Sequence, residues 1–277
     1  MMTDGQLKEF HYRLCVLMNE IHKICVGNNI RYTLLGGSLI GAVRHKGFIP
    51  WDDDMDIGMP WPDYKKFCEV ASKINHEWIE IDNPFNTNCN HVFPKAYDAR
   101  TTLRESGTER GNAKGIFIDI FPLSYVGNSH VSALLEYKFH NICKLLYLRK
   151  KYHFKQNNVY GKILKTVSAF FSDKQLLSMI FSQQERLNKK RRRWSSDLDG
   201  TTRGIVPSYL FDNYVLYEFD GFQFYGIELS EEYLTRVWGD YMKLPPVEKR
   251  VSDHFDYLNL NLPYQDYING KGDEKDL

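Results

Sequence analysis

No stretch of the 277 residues offers the roughly 18 consecutive uncharged apolar residues of a membrane-spanning helix, so no such helix is expected. The opening run MMTDGQLKEFHYRL also lacks the apolar centre of a signal peptide, which points to a cytoplasmic chain. Cys15, Cys25, Cys68, Cys89 and Cys143 are scattered, odd in number and without a Cys-x-x-Cys pair, and this excludes a disulfide framework and a structural zinc site. Neither sign of charge dominates. With 36 basic and 35 acidic side chains the formal net charge is +1, so no global field draws the chain to nucleic acid, and an anionic ligand has to be met locally. There is no Gly-x-x-x-x-Gly-Lys-Ser/Thr run, which excludes a Walker-type ATPase, and there is no internal repeat. What the chain does have is 43% hydrophobic residues, enough to bury the core of one large domain or of a domain with an elaborated second half. Its 18 Tyr and 17 Phe suit an aromatic core first and sugar- or cation-contacting surfaces second.

Hydrophobic periodicity predicts an alternating α/β organisation. Leu7, Phe10, Leu14, Leu17, Ile21 and Ile24 recur at helical spacing and predict a packing helix that ends near Gly27-Asn28-Asn29. Tyr32 to Leu35 reads as a short buried strand entering a Gly36-Gly37-Ser38 turn, and SLIGAVRH follows as a helix. IPWDDDMDIGM reads as a second strand, with Asp52, Asp54 and Asp56 on one face, Trp51, Met55 and Ile57 on the other, and Asp53 pointing away as a helix-facing or solvated charge. The proline-led run WPDYKKFCEVASKI predicts a helix, and EWIEI, HVFPKAYD and GIFIDIF predict three more strands. In the last of these Ile116, Ile118 and Ile120 face one way and Phe117, Asp119 and Phe121 the other. Basic, Tyr-rich helices are expected from about Ser129 to Trp194, then hairpin strands over VLYEFDGFQFYGIEL and a solvated tail, GKGDEKDL. The expected division is 1–128 as N-terminal helix and catalytic core, 129–200 as a helical basic region, and 201–277 completing the domain.

WDDDMD places four carboxylates within five positions, and a pair about 4 Å apart repels by about 4 kcal/mol at an effective dielectric near 20. Water can offset this on a surface turn. In a semi-buried strand flanked by Trp51, Met55 and Ile57, bound cations offset it instead, and all-oxygen ligands favour Mg²⁺ or Mn²⁺. A calcium loop counted from Asp52 fails, because its sixth position is Ile57 where glycine is required and its twelfth is Asp63.

A strand, a Gly-Gly-Ser turn, a short helix and a strand bearing Asp-x-Asp together resemble the signature of the polymerase-beta-like nucleotidyltransferases. That resemblance implies a mixed-sheet α/β (α+β) core with a helical insertion and a C-terminal elaboration. The turn would grip a phosphate, Asp54 and Asp56 would bind metal, and a third carboxylate, Asp119, would complete the site. At finer grain LLGGSLIGAVRHKGFIPWDDDMDIGM, HVFPKAYDARTTL, GIFIDIFPL and WGDYMKLPPVEKRVSDH are similar to blocks of the LicD family, related to the fukutins, in order from Tyr32 to His254. Members of that family attach phosphocholine or related phospho-alcohols to surface glycans.

The resemblance implies transfer of a phospho-alcohol, phosphocholine first, from CDP-choline or another CDP-alcohol to a hydroxyl of a glycan or lipid-linked glycan, with release of CMP. Mg²⁺ or Mn²⁺ would be held by Asp54, Asp56 and Asp119 with Asp52 beside them, and Asp119 would bridge a cation or take the hydroxyl proton. Gly36, Gly37 and Ser38 would present backbone and hydroxyl donors to phosphate. Arg44 and Lys95 are candidate phosphate clamps, each with an exposed surface cation as its other reading. Arg250 and His254, four apart, would share a helix face that closes the site. The basic run Asn188 to Trp194 is either a solvated helix face or a seat on an anionic membrane surface, which would put the protein at the inner face of the membrane. Two other functions stay open at this level: a nucleotidyltransferase acting on a sugar or small alcohol, and a non-catalytic nucleotide-binding component of glycan assembly.

Overall fold

The computed structural model describes residues 3–85, 90–151, 159–250 and 255–272. In chain order its elements are α1 (Asp4–Gly27), β1 (Thr33–Leu34), α2 (Gly36–His45), β2 (Asp56–Pro60), α3 (Trp61–Ala71), β3 (Ile79–Asp82), β4 (Lys95–Glu105) and β5 (Lys114–Gly127). There follow α4 (His130–Lys151), α5 (Val159–Ser168), α6 (Asp173–Asn188), β6 (Trp194–Ser196), β7 (Val206–Pro207), β8 (Tyr214–Phe219), β9 (Phe222–Ile227), α7 (Ser230–Trp238), β10 (Phe255–Asn259) and α8 (Tyr264–Ile268). The fold is mixed α/β. None of the described helices is long and apolar enough to cross a membrane.

The sheet runs β1-β2-β5-β4-β10, with β3 beside β4 and β6-β7 extending the far end of β5. It is mixed because β2 and β5 run parallel while β4 runs antiparallel to β5. β5 is the central strand, and its alternation follows the sequence. Ile116, Ile118 and Ile120 are fully buried, at about 1.5–3 kcal/mol of transfer free energy each, whereas Phe117 and Asp119 on the opposite face are only partly buried. α1 starts from a capping box in which Thr3 Oγ1 accepts from Gln6 N–H and the Gln6 side chain accepts from Thr3 N–H. Phe10, Leu14, Leu17 and Ile21 form its buried stripe in the main core.

Three expectations need correction. The strand expected over IPWDDDMDIGM begins only at Asp56: Pro50 has no N–H to give a ladder, and Asp52 N–H turns back to Ile49 O at 2.9 Å, so Asp52, Asp53 and Asp54 sit in a loop. The Gly36-Gly37-Ser38 turn is itself the first turn of α2, entered through Gly36 at φ +51°. The run Asn188 to Trp194 is not a helix face, because α6 ends at Asn188 and the arginines form the turn into β6, where Arg191 pairs with Asp212 at 2.7 Å. The expected hairpin is present as β8–β9, closed by Asp220 and Gly221, both at positive φ as a tight two-residue hairpin turn requires. That turn grips the chain after α2: Asp220 Oδ2 accepts from Phe48 N–H at 3.0 Å, and Asp220 N–H donates to Lys46 O at 2.8 Å.

Candidate active site

Strand register sets the centre. Asp56 on β2 stands directly beside Asp119 on parallel β5, and Asp119 stands opposite Lys95 on antiparallel β4. Side chains opposite each other in a ladder share one face, so three adjacent strands present carboxylate, carboxylate and ammonium in a row. Lys95 Nζ lies 2.6 Å from Glu105 Oε1 and 3.3 Å from Asp119 Oδ1, and 3.6 Å above the centre of the Phe117 ring. Lys95 is 5% exposed, so it is not the surface cation of its alternative reading. Its partners Asp119 and Glu105 hold its proton affinity up against burial.

The glycines of α2 lie over this row. A methyl group on Gly36 would sit 3.2 Å from Asp56 Oδ2, and one on Gly37 would sit 2.6 Å from Asp52 Oδ2. Gly36 is favoured by its positive φ, and a side chain at Gly37 would push the Asp52 carboxylate aside. Ser38, buried, accepts the Asp56 N–H on its Oγ at 2.9 Å, which fixes the head of β2 and leaves the hydroxyl hydrogen to be donated. The loop before β2 brings carboxylate oxygens of Asp52, Asp53 and Asp54 within 4.8 Å of one another. Asp53, expected to point away as a solvated or helix-facing charge, is 5% exposed and belongs to this cluster.

Burial raises the proton affinity of Asp56 well above the ordinary carboxylate range, and Asp54, Asp119, Asp52 and Asp199 raise it further. Asp119 is pushed up to about 7, first by burial and then by Glu105 and Asp54, against the Lys95 ammonium. Its Oδ1 is buried, and among the described residues it meets only the Lys95 ammonium, as an ion-pair contact. Crowded, half-desolvated carboxylates with an open oxygen are a donor set that fits a hard divalent cation, which would relieve the same repulsion that lifts these affinities.

Arg44, at the end of α2, donates from Nε to His45 Nε2 at 2.9 Å and from Nη1 to Tyr241 O, and its charge is felt by Asp52. Arg250 does not continue a helix. It follows a short 3-10 turn, Val247–Lys249, donates to Pro245 O at 2.9 Å and stacks 5.2 Å above the Trp51 ring, beside the acidic loop. His254 lies outside the described residues.

Several participants carry no sequence signal. His11 on α1 bonds Asp52 O through Nε2 at 2.7 Å and stacks on Phe48 at 4.1 Å; a carbonyl only accepts, so Nε2 carries the proton. Burial lowers its affinity for a second proton. Glu105, which anchors Lys95, and Asp199, whose charge reaches Asp56, come from distant points of the chain. Lone acidic residues at such separations show no spacing that could have marked them.

Comparison with known proteins adds a lineage to this geometry. The family model described as LicD/FKTN/FKRP, nucleotidyltransferase domain, matches residues 29–160. The chain is 32% identical over 246 residues to the lipopolysaccharide cholinephosphotransferase LicD of Haemophilus influenzae, covering 86% of this chain and 92% of that protein. An uncharacterized protein of Rickettsia typhi is 28% identical over 147 residues, which span 51% of this chain and 46% of that one. A 30-residue segment is 60% identical to the human ribitol 5-phosphate transferase FKRP, over 11% of this chain and 6% of that protein.

Proposed function

This chain belongs to the LicD family, and on that premise we propose that it transfers a phospho-alcohol, phosphocholine first among them, from a CDP-activated donor to a hydroxyl of a cell-surface glycan. The observation that carries this reading is the Asp56, Asp119 and Lys95 row beneath the Gly36-Gly37 turn, with the acidic loop beside it. The two relatives named for an activity are transferases, of cholinephosphate in one and of ribitol 5-phosphate in the other. The core we take to be of the nucleotidyltransferase kind.

Asp54, Asp56 and Asp119 would hold Mg²⁺ or Mn²⁺, with Asp52 beside them. A cation bound there would neutralise charge on the transferred phosphoryl group. This chain's own groups orient and neutralise the rest. The glycan hydroxyl oxygen forms a bond to the phosphorus that bears the alcohol, the bond from that phosphorus to the bridging oxygen breaks, and CMP leaves with that electron pair. Asp119, partly buried in the row beside Lys95, would bridge a cation or receive the hydroxyl proton. Lys95 and Arg44 supply fixed positive charge, and the Gly37 and Ser38 donors at the start of α2 face the same oxygens. A cytoplasmic site of action accords with a nucleotide-activated donor.

The test is CMP release from CDP-choline, CDP-ribitol, CDP-glycerol and CDP-ethanolamine by the purified protein, with Mg²⁺ or Mn²⁺ and a glycan acceptor extract. Acceptor-dependent CMP with one donor supports the proposal. Pyrophosphate as the product would make the enzyme a nucleotidyltransferase, and no turnover with any donor would make the chain a binding component. Asp56→Asn should lower turnover on the order of 100- to 1,000-fold with the fold intact; near-normal activity overturns the metal assignment.

A further inference from the structure

Beside the catalytic row lies a cleft of about 740 Å³, large enough for a nucleotide, whose wall includes Lys95, Glu105, Phe93, Leu148, Lys144 and Asp199. Its near side is the β4 edge of the row already described. Its far side is α4, which contributes Lys144, and the loop after β6, which contributes Asp199. No motif marks these two residues, and the proposed transfer uses neither of them directly.

The loop that carries Asp199 is held in an unusual conformation. Leu198 has φ +63°, a left-handed backbone that a leucine adopts only under constraint, and its side chain is buried with Val126, Tyr137 and Ile205. Three hydrogen bonds impose it: Asp197 Oδ1 accepts from Asp199 N–H at 3.1 Å and from Gly200 N–H at 3.3 Å, and Tyr137 hydroxyl donates to Gly200 O. The outcome of this strain is the placement of Asp199 at the cleft, where it takes Lys144. Lys144 Nζ lies 2.5 Å from Asp199 Oδ1 and 3.3 Å from Asp199 O. The ammonium has three N–H bonds. Asp199 holds the side chain through both contacts, and among the described residues no other partner is seen for the ammonium, which leaves an N–H to meet an oxygen in the cleft that Lys95 shares.

We propose that this cleft seats the diphosphate of the nucleotide donor and that Lys144, positioned by Asp199, is its second lysine clamp opposite Lys95. The ligand class is a nucleoside diphosphate or its ester, bound through a phosphate oxygen. The inference rests on the proposed function for the donor's identity, and on the cleft and the loop alone for the existence of the subsite.

The test reads binding and turnover separately. Calorimetric titration with CDP in Mg²⁺ is expected to show about tenfold weaker binding in Lys144→Met, equivalent to about 1.4 kcal/mol. Lys144→Arg keeps the charge and should recover most of it, and Lys162→Met, an exposed α5 lysine away from the cleft, should not change it. Asp199→Asn should weaken binding about threefold, since an amide still accepts from Lys144 but no longer attracts it. In turnover, Lys144→Met should raise donor KM about tenfold with kcat changed less than about threefold. A wild type that binds CDP through Lys144 but transfers nothing overturns the proposed function and leaves the subsite standing. A wild type that transfers, with donor KM and CDP affinity unchanged in Lys144→Met, overturns the subsite. Wild type that neither binds nor transfers overturns both, as does loss of binding in Lys144→Met that Lys144→Arg leaves wholly unrepaired for the clamp.

Discussion

Without a cation, the carboxylate row should make the protein less stable as pH rises through the region where Asp119 ionises. Asp119 is 17% exposed and has its affinity for a proton raised from 3.8 to about 7, so its ionised form is disfavoured by about 4 kcal/mol in the folded chain relative to the unfolded one. Between those two values the folded state binds more protons than the unfolded state, so stability falls with increasing pH, and the loss is complete above about pH 8. About 2–3 kcal/mol of it falls between about pH 5 and pH 8. Other groups titrate with the opposite sign. His140, buried beside Lys144, is held near 4, so the unfolded chain binds the extra proton below about 6.5 and stability rises with pH through that window. The total slope therefore mixes both, and the comparison that isolates Asp119 is wild type against Asp119→Asn. Urea unfolding in a chelator at a series of pH values should show wild type losing about 2–3 kcal/mol relative to the variant from about pH 5 to pH 8. Adding Mn²⁺ should restore most of that in wild type and little in the variant. Parallel pH dependences for the two proteins would refute the claim that Asp119 is desolvated and crowded.

Lys95→Met removes the ammonium that draws Asp119 toward ionisation; it should cost about 1–3 kcal/mol at neutral pH, less than for a fully buried pair because Glu105 is about a third exposed, and move the acid limb of the pH–rate profile upward. Gly37→Ala drives a methyl group to 2.6 Å from Asp52 Oδ2, and Gly36→Ala adds a side chain at φ +51° close to Asp56. Each should lower kcat about tenfold or more, and Gly36→Ala should also cost about 1–2 kcal/mol of stability, read by urea unfolding and steady-state rates. Asp220→Ala removes the acceptor for Phe48 N–H and should lower stability by about 1–2 kcal/mol, a fall of about 3–6 °C in Tm by calorimetry.

The sequence by itself determined the order of the elements from α1 to β5, the β8–β9 hairpin, the buried face of β5 and the strand positions of Asp56 and Asp119. Those follow from local rules: Ile116, Ile118 and Ile120 alternate with Phe117 and Asp119 because a strand has a period of two, and the carboxylates of WDDDMD announce themselves by crowding. The strand over Asp52 to Asp54 failed because a turn bond to Ile49 and a proline compete with the ladder, and alternation cannot register that competition. Only the tertiary structure decided who stands beside whom. That β2 runs parallel to β5 with Asp56 in register with Asp119, that Glu105 anchors Lys95, and that Asp199 is carried to Lys144 by a leucine in a left-handed conformation are results of chain segments meeting across long separations. Pattern along one strand fixes which way a side chain points; which charges it meets there depends on packing over the whole chain.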